Sequence, residues 1–327
     1  MVHSLLKPLL KRGALVAAAN WQVTLAQATA DSLFKLLVAT PVVGGIFLVA
    51  LVIGAEPRDM MSLEWREMAT TIITSLLSHP LVLLSFLLSL GTVVIGGSLF
   101  VFLVKAGTVA VLVKGERQAG EFDASPLHLD DITRAGAFSP EFYISSAQSL
   151  FGRYSVLGAG LMAVYTVSGI GYLFFVLVAG IFEDAWGLAA VTTIAFVIWI
   201  TIVNLFYLLM QIVIAAEDCS VTAAVRHAIA FLARSHRRVA AVFGCVLLLV
   251  VMATGASFIA TFALGLIGFV PFVGLAVLPI QLLAWLFRGL VFQFLGLASV
   301  GAYLRLYRDF AEGERTGTLA VSLLEVP

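Results

Sequence analysis

This chain is short of charge, cysteine and histidine. Only 12% of its 327 residues are Asp, Glu, Lys or Arg, about half the usual share in a soluble domain. So few charges cannot cover the surface of a water-soluble protein of this size. The mean hydropathy of +1.07 points instead to a chain that crosses a membrane several times. Nineteen basic residues balance nineteen acidic ones, which leaves no net field to draw nucleic acid or an acidic substrate. The two cysteines, Cys219 and Cys245, lie far apart with no CxxC or Cys/His spacing, so neither a disulfide nor a metal site is expected. The five histidines (His3, His79, His128, His227 and His236) fall in loops or at helix ends. Of these, His227 and His236 are nine positions apart and would face different sides of one helix. The metalloprotease pattern HExxH, the nucleophile elbow GxSxG, the P-loop and the dinucleotide fingerprint GxGxxG are all absent. No catalytic residue, metal or cofactor is therefore assigned, and nothing points to an enzyme.

What the chain does have is apolar length. Six stretches, 33–54, 81–104, 155–181, 187–214, 240–264 and 274–304, are long enough to cross a hydrocarbon core of ~30 Å at ~1.5 Å per helical residue. Polar punctuation separates them. Glu56, Pro57, Arg58 and Asp59 end the first, His79 and Pro80 open the second, and Glu183 and Asp184 divide the third from the fourth. Glu217 and Asp218 close the fourth, and the turn FVPFVG around Pro271 separates the last two. The expected fold is an all-α, six-span membrane bundle over 33–307, preceded by an N-terminal interfacial helix within 1–32 and followed by a tail, 308–327. Pro271 and Pro279 flank GLAV before the last span, an entry that is either a tight turn or a broken helix.

Position of charge sets the orientation. With the N-terminus inside, Lys7, Lys11, Arg12, Lys35, Lys105, Lys114, Arg117, Arg134, Arg153, Arg226, Arg234, Arg237, Arg238, Arg305, Arg308 and Arg315 fall on the inner side, and only Arg58 and Arg66 outside. That asymmetry predicts both termini in the cytoplasm, for a multi-pass protein of a bacterial-type inner (plasma) membrane. Three further segments read as amphipathic helices at the membrane surface. Residues 4–30 carry Leu5, Leu6, Leu9, Leu10 and Val16 among basic residues. In the outer loop, 60–77 repeats Met61, Trp65, Met68, Ile72 and Leu76, with Glu64, Arg66 and Glu67 facing away. Ser220 N-caps the third, 220–237, which leads into the fifth span. Small residues in GTVVIGGS (91–98), GAG (158–160) and SGIG (168–171) permit close helix contact.

Polar residues inside the spans are the candidate site. Arg288 stands alone in LLAWLFRGLVFQ (282–293). It lies 17 positions before Arg305, or ~25 Å up the helix, in the outer third of the core. An intramembrane arginine faces the bundle interior or a wet cavity and finds a partner. Glu183 and Asp184 are the ion-pair partners nearest in depth, with Gln281 two turns away on the same helix. Alternatively its planar fork would bind an anion or a lipid phosphate from the outer leaflet, or the side chain would simply snorkel outward. Asn204, Gln211 and Gln293 would line the same interior, or simply hydrogen-bond between helices. The acidic groups Glu56, Asp59, Glu64 and Glu67, and Glu121, Asp123, Asp130 and Asp131, read as solvated loop charges.

The second and sixth spans exit alike, in VKGERQAGEF (113–122) and AEGERTGTLA (311–320), a hint of a parallel hairpin repeat. The stretches EDCSVTAAVRHA (217–228), VPFVG (270–274) and AYLRLYRD (302–309) resemble a group of bacterial six-span proteins. That group includes the membrane domain associated with glycerophosphodiester phosphodiesterases. The resemblance covers about the last hundred residues and lacks the phosphodiesterase catalytic domain. It implies an inner-membrane bundle of the kind that accompanies lipid-related enzymes. Two functions are expected to compete. One is a non-catalytic membrane subunit or scaffold that binds lipid, another membrane protein or a second copy of itself. The other is a transporter for an anionic solute or lipid through Arg288, Asn204, Gln211 and Gln293.

Overall fold

The computed structural model describes residues 2–54, 64–120, 129–179, 186–268 and 273–324. Among these the chain is helical throughout: α1 (Val2–Ala19), α2 (Trp21–Ile53), α3 (Trp65–Ser78), α4 (Pro80–Gln118), α5 (Leu129–Ala135), α6 (Pro140–Ala179), α7 (Trp186–Glu217), α8 (Val221–Gly268) and α9 (Val273–Leu324). Six of them, α2, α4 and α6 to α9, are long and apolar enough to cross a membrane. The all-α polytopic bundle expected from hydropathy is what forms.

Local chemistry explains the helix ends. Proline, which donates no N–H, stands at the first position of α4 (Pro80) and α6 (Pro140). Ser139 caps α6 through its Oγ, 3.3 Å from the Phe142 amide, and Ser220 caps α8 from 3.4 Å at the Ala223 amide. At the end of α7, Asp218 takes the left-handed conformation (φ 49°), and two arginines cover the helix's unpaired carbonyls. Arg117 donates to the Ala216 carbonyl, and Arg153 donates to the Cys219 carbonyl and to the Asp218 carboxylate at 2.6 Å. The helix α8 bends at Ser235 (φ −116°), just before the basic pair Arg237 and Arg238. The segment 220–237 thus forms one helix with the fifth span, kinked at the expected boundary.

Several helices run well past the ~20 residues a crossing needs. With lengths of 39, 40, 32, 48 and 52 residues, α4, α6, α7, α8 and α9 have surplus turns, and many of the buried residues lie there. Val109 to Val113, Tyr154, Leu209 to Ile214, Ala224, Phe231 and Ala302 to Leu304 are all buried. By contrast Leu81, Leu88, Phe174, Ile194, Phe258, Phe262 and Leu283 are exposed, as side chains facing hydrocarbon must be.

The chain divides into two compact units. The smaller, Thr29–Phe102, pairs the later turns of α2 with the early turns of α4. Phe34 seats on Gly97 and Phe86 on Gly45, eleven residues along on both strands of an antiparallel pair. Val49, Ala50 and Leu76 form its core, with Ile72 of α3 against them. The apolar stripe predicted for the outer amphipathic helix therefore docks on the spans of this unit at Ile72 and Leu76; Met61 lies outside the described residues. The larger unit, Met1–Ala28 with Leu103–Pro327, holds everything else.

In this larger unit the N-terminal segment differs from the single surface helix expected over 4–30. It breaks at Asn20, and residues after it belong to α2. The first part, α1, packs chiefly on α9, with contacts to α5 and α8. Gly13 meets Gly301 at the crossing, where a Cβ on Gly13 would lie 2.7 Å from the Ala302 nitrogen. Val16 and Ala17 are fully buried. The segment expected as a tail continues α9 to Leu324, and Pro279 lies inside that helix.

Candidate functional site: a buried charge cluster at the basic end

In the larger unit α1 meets the end of α4 and the stretch of α9 around Arg305 and Arg308. Arg12 is 2% exposed and Glu116 is 1% exposed, a burial that charged groups tolerate only when paired. Arg12 donates from Nε (2.9 Å) and Nη2 (2.8 Å) to Oε1 of Glu116. It also donates from Nη1 to the Gly120 carbonyl at 2.7 Å and from Nη2 to the Glu116 carbonyl at 3.3 Å. Those carbonyls belong to the end of α4, where Gly120 (φ 62°) turns the chain out of the helix, so a cation there also meets the negative end of the helix dipole. From α9, Arg308 donates Nη1 to the other Glu116 oxygen at 3.1 Å, and Arg305 approaches Oε1 at 3.9 Å. Each is held in turn by an acid one turn on: Arg308 by Glu312 at 2.8 Å and Arg305 by Asp309 at 3.2 Å.

Beside Glu116 lies a cavity of about 440 Å³ whose walls include Val113, Arg117, Glu217, Tyr307 and Arg308. Its polar groups are occupied. Arg117 is on the end of α7, the Tyr307 hydroxyl donates to Glu217 at 3.5 Å, and Arg308 is shared between two acids. The Tyr307 ring stacks edge-on against Phe231 of α8, centroids 5.4 Å apart.

A second polar knot completes the packing. Asn20 is fully buried and uses all four of its hydrogen-bonding positions. Its Nδ2 donates to the Val16 and Ala135 carbonyls, both at 2.9 Å, and its Oδ1 accepts from the Ala137 (2.8 Å) and Phe138 (3.1 Å) amides. It fixes the α1–α2 corner to the link between α5 and α6. Gly115 packs against this amide, with the Ala135 carbonyl 2.7 Å from where its Cβ would be.

The residues expected to carry function lie on two helices, Asn204 and Gln211 on α7 and Arg288 and Gln293 on α9. Arg288 is exposed and lies over the Phe292 ring, 5.6 Å from its centroid, on its own helix. Asn204 is exposed; it accepts from the Tyr165 hydroxyl and donates to the Ile200 carbonyl at 3.0 Å. Gln211 is buried, and its backbone carbonyl accepts from the Tyr154 hydroxyl at 2.8 Å. Gln293 is half-buried on α9. Among the described residues no hydrogen bond or ion pair joins any two of the four. Glu183 and Asp184 lie outside the described residues. No group of three His, Cys, Asp or Glu is placed to hold a metal ion among the described residues. Burial pushes the Cys219 thiol above its ordinary value.

Arg12, Asn20, Glu116 and Arg308 were not singled out by sequence reasoning. A faint signal existed, since Glu116 sits in the Gly-Glu-Arg of the repeated helix exit, and Asn20 interrupts an alanine-rich run.

Fold and site together define a multi-pass integral membrane protein with an internally paired charge cluster where α1, α4 and α9 meet. Compared with protein-family models, curated proteins and solved structures, the chain matches none.

Proposed function

We propose that this protein is a non-catalytic membrane subunit that presents a preformed helical platform to other components of a bacterial-type inner membrane, with both termini in the cytoplasm. The observation that carries this reading is the Arg12–Glu116–Arg308 cluster. Its charges are spent on joining α1, α4 and α9, whereas a transport path or a reaction centre needs polar groups left open to a ligand. The platform's outward face is basic. One side of α8 is buried through Ala224, Ala228 and Phe231, while Arg226, His227, Arg237 and Arg238 are exposed on the other. Such a surface suits an acidic protein partner or an anionic leaflet. The sixteen-to-two distribution of basic residues supports the cytoplasmic orientation.

Two measurements on protein released from its own membrane into nanodiscs test this: native mass spectrometry, and an anion-flux assay after transfer to liposomes. The reading expects a defined protein partner, lost in Arg226→Glu with Arg237→Glu, and no flux above protein-free liposomes. Flux that falls in Arg288→Leu would overturn it in favour of transport.

A further inference from the structure

We propose that the groove between α1 and α8 is a binding site for one anionic phospholipid, held by its acyl chain along the groove and by its phosphate on Lys7 and Lys11. The groove is a shallow, largely open depression of about 480 Å³ lined by Leu6, Lys7, Leu10, Lys11 and Ala14 of α1 and by Cys245 and Leu249 of α8. The lining follows helical geometry. Leu6, Leu10 and Ala14 recur at steps of four, as do Cys245 and Leu249, so two apolar strips face each other.

Depth favours a lipid over a soluble ligand. On α8 the basic pair Arg237 and Arg238 marks the membrane boundary, and Cys245 and Leu249 follow it by seven and eleven residues. At ~1.5 Å per residue they lie ~10–17 Å into the hydrocarbon, where acyl chains are the available apolar filler. Lysine stems lie readily along apolar surface while their amines reach outward to the phosphate level.

Charge selects the headgroup. Arg12, Lys35, Arg153, Arg305 and Arg308 all have acidic partners within the protein. Lys7 is exposed and Lys11 half-buried, and among the described residues neither has one. Two positive charges four residues apart therefore border an apolar groove with no acid paired to them among the described residues, an arrangement complementary to a phosphodiester with a net negative headgroup. Each lysine near an anionic lipid surface contributes about fivefold in affinity.

The test is native mass spectrometry of the full chain from nanodiscs of equal parts phosphatidylcholine and phosphatidylglycerol, comparing wild type with Lys7→Gln/Lys11→Gln and with Leu10→Trp. The proposal expects wild type to retain one phosphatidylglycerol in preference to phosphatidylcholine. The double glutamine variant should lose that preference by roughly tenfold or more, and Leu10→Trp, which fills the groove, should lose the retained lipid. Added glycerol phosphate should displace nothing, because it has no chain to bury. Equal retention of both lipids by wild type, or an unchanged preference in the glutamine variant, would overturn the proposal. Displacement by glycerol phosphate would overturn it too, by making the site one for a soluble anion. Both glutamine substitutions are at incompletely buried positions, so that arm survives if the tryptophan variant misfolds.

Discussion

Removing the Arg12 side chain tests the charge cluster most informatively, because the remaining partners are known. Breaking a buried ion pair costs about 3–5 kcal/mol, mostly by stranding the surviving charge. In Arg12→Ala, Glu116 keeps Arg308 at 3.1 Å and Arg305 at 3.9 Å, so the loss belongs near the lower end, about 3 kcal/mol. In Glu116→Leu, Arg12, 2% exposed, keeps its bonds to the Gly120 and Glu116 carbonyls but loses the carboxylate that balances its charge, and Arg308 loses one of its two acids. That loss belongs near the upper end, about 5 kcal/mol. Replacing both with apolar residues, Arg12→Met with Glu116→Leu, removes the stranded charge and should cost less than Glu116→Leu alone. The cycle closed by the single variant Arg12→Met should show a coupling of at least ~2 kcal/mol. Equilibrium unfolding in mixed micelles gives the energies, and the single variants should also melt on the order of 5–10 °C lower. Additive effects, or an Arg12→Ala variant as stable as wild type, would refute the claim that this pair holds α1 to the bundle.

Other parts of the same unit make separate predictions. Asn20→Ala leaves the Ala137 and Phe138 amides and the Ala135 carbonyl without their partner; a loss of about 2–4 kcal/mol and faster hydrogen exchange confined to 135–138 are expected. Gly13→Leu cannot be accommodated against the α9 backbone, so spin labels on α1 and α9 should move apart, while Ala18→Leu, at an exposed position, leaves their separation unchanged. Cys219, whose thiol is raised chiefly by burial, should alkylate slowly at neutral pH. Its rate should climb with pH to a midpoint above that of a free thiol, because the reactive thiolate forms only there.

Hydropathy found the six spans because an apolar run of twenty or more residues has one stable solution in lipid. It understated their length: the second span was read as 81–104, whereas α4 runs from Pro80 to Gln118. Lysine and arginine end an apolar run but do not end a helix, and the surplus turns that build the basic end are amphipathic. The Ser220 cap was legible because capping is a local affair between neighbours in sequence. The Arg12–Glu116 pair was not, since its members are 104 residues apart and each reads alone as an ordinary surface charge. Arg288 drew notice because it was isolated within an apolar run, yet its visible contact is with Phe292 one turn along its own helix. Isolation in sequence marked the conspicuous charge, and burial in three dimensions marked different ones.

Hydrogen exchange across α1 in nanodiscs is the most direct test of the central claim, that the N-terminal helix is a fixed part of the platform rather than a separate surface helix. The account predicts that the amides of 9–19 exchange as slowly as those of 297–307, and that Glu116→Leu speeds the first set more than the second. Exchange of α1 at the rate of an undocked helix in the wild-type protein, indifferent to Glu116, would contradict it.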